Sequence, residues 1–149
     1  TLGFRGEALY AIASVSKIEI ISKTIDMDNA VKIIVEENKV LGIKPAKGKN
    51  GTHIVVKNLF KNFPVRKKFL SNAKAENYYI REVIKSIAIS NPKISFNYFE
   101  ETKPKLVLLN REKENNFQNR IIEILGKDFH ESSLFLEEKK GVASKKRIV

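Results

Sequence analysis

Apolar and polar positions change period several times along the chain, and each change marks an element. Over residues 7–15, Ala8, Leu9, Ile12 and Val15 recur near helical spacing with small residues between them, which predicts a helix buried on much of its circumference. Residues 17–22, rich in isoleucine, predict a strand, and the polar residues 24–29 a turn. Three further strands are predicted over 30–36, 40–44 and 52–58. Val31, Ile33 and Val35 alternate with Lys32 and Ile34, and Ile54 and Val56 alternate with His53, Val55 and Lys57. Their short links predict antiparallel pairing, with a lysine-rich loop over 44–51 that ends in an Asn-Gly turn signal.

Helical spacing returns later in the chain. Pro64 is placed to begin a helix, and a longer one is predicted over 73–90, with Ile80, Val83, Ile84 and Ile87 on one stripe and Asn91-Pro92 as its stop. Residues 94–100 and 105–110 predict a hairpin about 101–104, and the charged run 110–116 a linker. Phe117, Ile121, Ile124 and Leu125 define a third helix closed by Gly126, with one more strand over 133–138. Residues 141–149 lack the apolar alternation expected of a sheet that continues. The chain opens on Thr1-Leu2-Gly3 and enters a helix pattern at once, so it reads as part of something longer.

Composition narrows the classes. Hydrophobic residues at 42% and charged residues at 30% describe a folded, water-soluble chain. The longest uncharged run, residues 8–16, falls far short of the ~18 apolar residues of a membrane span, and the start lacks the pattern of a secretion signal. Without cysteine, disulfides and thiolate metal sites are excluded, and His53 and His130 alone do not make a zinc site. Basic residues outnumber acidic ones 28 to 17, for a net charge of +11. Such an excess suits a polyanion, through many weak phosphate contacts. Because lysine far outnumbers arginine, codon use in an AT-rich genome is an equally good source of it.

Two stretches carry chemistry. Gly3-Phe4-Arg5-Gly6-Glu7 brackets an aromatic and an arginine between glycines just before a helix, where positive φ is available and the first helical N–H groups face outward. Those groups and Arg5 suit a phosphate, although Glu7 in the first turn equally suits the helix dipole alone. In the second stretch, residues 51–70, a strand opened by Gly51-Thr52 runs through Asn58-Leu59-Phe60 into the basic helix Pro64-Val-Arg66-Lys67-Lys68-Phe69-Leu70. Its plain reading is scaffold, with Leu59, Phe60, Phe69 and Leu70 in the core and the cations on a solvated face.

In this order, Gly-Phe-Arg-Gly-Glu-Ala-Leu, Ile12-Ala-Ser-Val15-Ser, Gly51-Thr52, Asn58-Leu-Phe60 and Pro64-x-Arg66-x-Lys68-Phe69-Leu70 resemble the signature of the MutL family of DNA mismatch-repair ATPases. The resemblance covers the chain to about residue 138. It departs at Lys61 and Phe63, where the family carries tyrosine and threonine. It implies membership of the split-ATPase (GHKL) superfamily of gyrase B, the ninety-kilodalton heat-shock chaperones and histidine kinases. The implied fold is α+β, a mixed, mostly antiparallel sheet covered by helices on one face. Residues 1–110 would be the C-terminal part of the ATPase domain, and residues 111–149 the incomplete start of a β-α-β transducer domain.

By the same resemblance, ATP with magnesium is the cofactor. Gly3, Phe4, Arg5, Gly6 and Glu7 would stand at the end of a lid, meeting the β- and γ-phosphates around Arg5 and Gly6. Gly51 and Thr52 would serve adenine recognition, the hydroxyl donating and accepting at once. The magnesium-binding asparagine, the catalytic glutamate and the Asp-x-Gly-x-Gly loop are implied to lie upstream, and the transducer's catalytic lysine beyond Val149, so the chain alone is expected to hydrolyse no ATP. The implied partners are DNA, held by its backbone without sequence preference, the mismatch-recognition protein MutS, and a second copy through the N-terminal domain. The expected setting is the bacterial cytoplasm, at the nucleoid, with no membrane. Two other classes stay open. One is a non-enzymatic nucleic-acid module with a basic face of Lys44, Lys47, Lys49, Arg66, Lys67 and Lys68, and the other is a different split ATPase such as a type II topoisomerase subunit.

Overall fold

The computed structural model describes residue 3 and residues 6–110, 116–140 and 143–148, with side chains described as far as residue 134. Thus Phe4, Arg5 and most of the charged run after Asn110 lie outside the described residues. The chain divides into two compact units, Thr1–Leu70 and Ser71–Val149.

The first unit holds α1 (Glu7–Ala13), β1 (Lys17–Lys23), β2 (Ala30–Glu36), β3 (Lys39–Ala46), β4 (Gly51–Lys57) and α2 (Pro64–Lys68). The four strands form one antiparallel sheet in the order β3-β2-β1-β4. β1, β2 and β3 follow one another as hairpins and β4 returns beside β1, which is Greek-key order. The β2–β3 turn has Glu37 and Asn38 at φ 49 and 59, the left-handed pair that a two-residue hairpin needs. Asn62 Nδ2 donates to the Glu37 carboxylate and steadies it.

From β3 to β4 the chain crosses the ends of β2 and β1, three strand spacings or ~14 Å, in residues 47–50. Five Cα steps reach ~17 Å at most, so the crossing is nearly taut. It lies close on the sheet, because a Cβ at Gly48 would stand 3.1 Å from Ala30 Cβ and 3.2 Å from Ile21 Cγ2. Ala30 is accordingly buried.

Strand register sorts the side chains by face. Ile18, Ile20 and Ser22 align with Val31, Ile33 and Val35 on β2 and with Thr52, Ile54 and Val56 on β4. Val40, Ile43 and Pro45 of the edge strand continue these rows, with the ladder shifting between Ile34 and Val35. The opposite face carries an ion-pair ladder across three strands: Glu19 lies between Lys32 at 2.7 Å and Lys57 at 2.6 Å, and Lys17 pairs with Glu36 at 3.5 Å.

Hydrogen bonds from Lys32, then from Lys57, hold the Glu19 carboxyl at about 2, down from 4.5. A carboxyl that titrates lower in the folded chain contributes its full stability above its unfolded value and loses it as pH falls. Wild-type stability should therefore decline between pH 4.5 and about 2 more steeply than that of Glu19→Gln. Urea midpoints of both chains across that range test this, and parallel curves would remove Glu19 from the acid response.

The second unit holds α3 (Ala73–Ser90), the β5 (Phe96–Glu100) and β6 (Lys103–Leu108) hairpin, α4 (Asn116–Leu125), α5 (Lys127–Glu131), and the β7 (Phe135–Lys140) and β8 (Ala143–Ile148) hairpin. Asn72 caps α3, its Oδ1 accepting from Ala75 N at 3.0 Å, and Glu76 accepts from Ser71 N at 2.9 Å. Arg81 pairs with Glu100 at 2.8 Å and the Tyr98 hydroxyl donates to Asn77 Oδ1 at 2.8 Å, which ties α3 to β5. Gly126, at φ 93, separates α4 from α5.

The α+β class and the antiparallel sheet agree with the sequence pattern. Four local expectations do not. α1 ends at Ala13 and buries only that residue, leaving Leu9 and Ile12 at 38% and 36% exposure. Phe69, Leu59 and Leu70, expected in the core, are 83%, 42% and 41% exposed. α5 was not expected after Gly126. β8 lies where alternation is missing, and pairs with β7 through its backbone; the register sets Lys146 opposite Glu137 and Lys145 opposite Glu138.

Candidate functional site: a hydroxyl pair on an apolar sheet face

The apolar face of the first sheet carries one polar feature. Of the twelve positions that the register puts on it, ten are isoleucine, valine or proline and two are the hydroxyls Ser22 and Thr52. These two stand directly opposite each other at the end of β1 and the start of β4, with Oγ and Oγ1 2.9 Å apart. Ser22 Oγ also lies 3.5 Å from the Gly51 carbonyl oxygen. Gly51 opens β4 at φ 117, a backbone that side-chain-bearing residues rarely adopt. At the same end of the sheet, toward its β3 edge, a groove of about 410 Å³ is lined by Met27, Ala30, Val31, Ile43 and Pro45 among others. A flat apolar floor with one hydroxyl corner suits a planar heterocycle that needs an orienting hydrogen bond.

Of the residues assigned to a phosphate lid, Gly6 is described best. It caps α1 at φ 94 with no side-chain hydrogen bond, so the positive φ expected of the Gly-x-x-Gly turn is present there. Gly3 and Glu7 are exposed, and Phe4 and Arg5 are not among the described residues. Gly51 and Thr52 are brought against Ser22, which sequence reasoning missed. The available signal was the alternation Ile18-Ile20-Ser22, in which a hydroxyl takes the third apolar place.

The six basic residues are not gathered at one place. Lys44 lies near the end of β3, and Lys47 and Lys49 lie in the crossing to β4. Arg66, Lys67 and Lys68 form α2, which follows the other end of β4, ~20 Å of strand away. Arg66 stacks on Phe63, its guanidinium carbon 5.3 Å from the ring centre. Among the described residues no group of three or more His, Cys, Asp or Glu is placed to hold a metal, and no helix is long and apolar enough to cross a membrane.

Comparison with known proteins gives these features a context. No protein-family model matches the sequence. The DNA mismatch repair protein MutL of Bartonella quintana is 40% identical over 141 residues, which is 93% of this chain and 23% of that protein. MutL of Clostridium perfringens is 36% identical over 144 residues, 97% of this chain and 21% of that one. Among solved structures, the Aquifex aeolicus MutL ATPase domain complexed with ADP matches with a TM-score of 0.76 at 32% identity, over 89% of this chain and 52% of that domain. The chain therefore spans less than a quarter of these relatives and about half of the ATPase domain.

An antiparallel α+β fold that matches this domain at that identity is a split-ATPase fold of the GHKL class. Within that class, the chain belongs to the MutL family.

Proposed function

We propose that this chain supplies the adenine-side sheet and the lid end of a MutL ATPase that acts in DNA mismatch repair. The observation that carries this reading is the placement of Thr52. The family's Gly-Thr pair falls where the apolar face turns polar, with Gly51 holding a glycine backbone and Thr52 bonded to Ser22. The described residues fit a nucleobase through this floor and its hydroxyls. For magnesium they offer no cluster of ligands, and the resemblance puts its asparagine outside this chain.

In this reading Thr52 orients the base while the backbone around Gly6 and the cation of Arg5 meet the phosphates. ATP favours a closed, dimeric state because the lid contacts exist only there, and a ligand shifts an equilibrium only by its difference in affinity for the two states. The dimer would couple recognition of a mismatch by MutS to later steps on DNA bound through its backbone, in the cytoplasm and at the nucleoid.

The test uses a full-length MutL chain that carries this segment. Thr52→Val, similar in shape but without the hydroxyl, should weaken ATP binding about tenfold, as loss of a buried or well-oriented hydrogen bond does. Competition against a fluorescent ATP analogue reads the change, and equal affinities would overturn the assignment of Thr52.

A further inference from the structure

We propose that the face of the first sheet that carries the Glu19 ion pairs is a contact surface for the backbone of duplex DNA. The inference rests on reading the chain as part of a MutL that acts on DNA, and it names where on this segment the phosphates lie.

Strand register gathers the charge. Lys17, Lys23, Lys32, Lys39, Lys44 and Lys57 share this face with two acids, Glu19 and Glu36, for a net +4, whereas the apolar face holds no charged residue. The arrangement costs the fold. Lys17 stands directly opposite Lys57, and Lys32 directly opposite Lys44, and like charges at facing positions destabilise a sheet. The acids offset only part of it: Glu19 is shared by Lys32 and Lys57, and Glu36 pairs with Lys17. Among the described residues Lys23, Lys39 and Lys44 have no ion pair. A polyanion laid on the face would relieve both facing pairs and engage the three free cations.

Its layout suits a phosphate backbone. Lys39, Lys17 and Lys57 stand in one row across the sheet and Lys44 and Lys32 in another, four residues along β2 or ~14 Å away. The crossing extends the second end, because Gly48 lies against Ile21 and Ala30 of this face and so brings Lys47 and Lys49 there. Phenylalanine, tyrosine and tryptophan are absent from the face, so it has no stacking platform for unpaired bases, which favours a duplex over a single strand. Its cations are all lysines. They act as point charges without the arginine fork that reads guanine, so contact without sequence preference is expected.

Fluorescence anisotropy of a labelled duplex, titrated with a full-length MutL chain carrying this segment at several salt concentrations, tests the inference. Combining Lys23→Gln, Lys39→Gln and Lys44→Gln should weaken binding to any duplex sequence and lower the log–log salt slope by about 2–3, at ~0.9 per phosphate contact. Lys93→Gln, Lys103→Gln and Lys127→Gln, an equal loss of charge on the second unit, should leave the slope as in wild type. Glu19→Gln frees Lys32 and Lys57 and should tighten binding, a gain that damage to the fold would not produce. Equal slopes in the two triple variants, or no gain from Glu19→Gln, would overturn the surface. Losses confined to a labelled single strand would overturn the choice of duplex, and a wild-type affinity indifferent to salt would overturn the DNA reading itself.

Discussion

Arg120→Ala should cost this chain about 3–5 kcal/mol of unfolding free energy, the scale of a buried charged group taken from its partners. Arg120 is 2% exposed, on a helix whose other fully buried residue is Ile121. Its Nη2 lies 3.2 Å from the Pro92 carbonyl oxygen and 3.0 Å from those of Ile94 and Leu109. One nitrogen with two protons therefore serves the approach to β5, the exit from β6 and α4 together. Alanine would leave three carbonyl acceptors short of a donor, each costing ~1–3 kcal/mol where water cannot replace it, and a void where the side chain stood.

Two further variants separate these causes. Arg120→Met keeps much of the stem volume and removes the donors, so it should recover only the packing part. Arg120→Lys keeps a cation, but one ammonium on a flexible stem does not reproduce the guanidinium fork, and an intermediate loss is expected. Urea unfolding at constant m-value measures all three. A Met variant as stable as wild type would show that the carbonyl bonds add nothing beyond volume.

Arg120 also marks where sequence reading stops. With Phe117, Ile121 and Ile124 it lies on one helical stripe, and a cation on such a stripe is the signal of a buried arginine. Nothing local tells which carbonyls it meets, because Pro92, Ile94 and Leu109 are remote in sequence. The first sheet divides in the same way. Its strands were legible because Val31, Ile33 and Val35 alternate, and Gly51-Thr52 stood out by motif. The return of β4 to the side of β1 was not legible, since that pairing is set by the taut crossing at Gly48 and by the fit of Ile54 and Val56 beside Ile20 and Ile18. Ser22 acquires its role only through that pairing. The lysines illustrate the opposite error: Lys44 and Lys68 look alike in composition, yet the strand order sends them to different ends of the sheet.

Gly51→Ala should lose about 1–3 kcal/mol, whereas Gly42→Ala in the same sheet should stay within about 0.5 kcal/mol. Both glycines have open space where a Cβ would stand, with nothing within 4 Å, so crowding does not separate them. Backbone conformation does, since of the two only Gly51 has positive φ, at 117. An alanine at Gly51 bears that strain or relaxes it by turning the peptide that leads into Thr52. Relaxation would draw Thr52 Oγ1 off its 2.9 Å contact with Ser22, so ATP affinity of a full-length MutL chain carrying Gly51→Ala should fall together with stability. Paired urea curves of the two alanine variants measure the first effect and nucleotide competition the second. Equal stability losses at both positions would mean that left-handed backbone is not what Gly51 contributes. Full ATP affinity in a destabilised Gly51→Ala chain would separate the glycine's conformation from the hydroxyl pair it precedes.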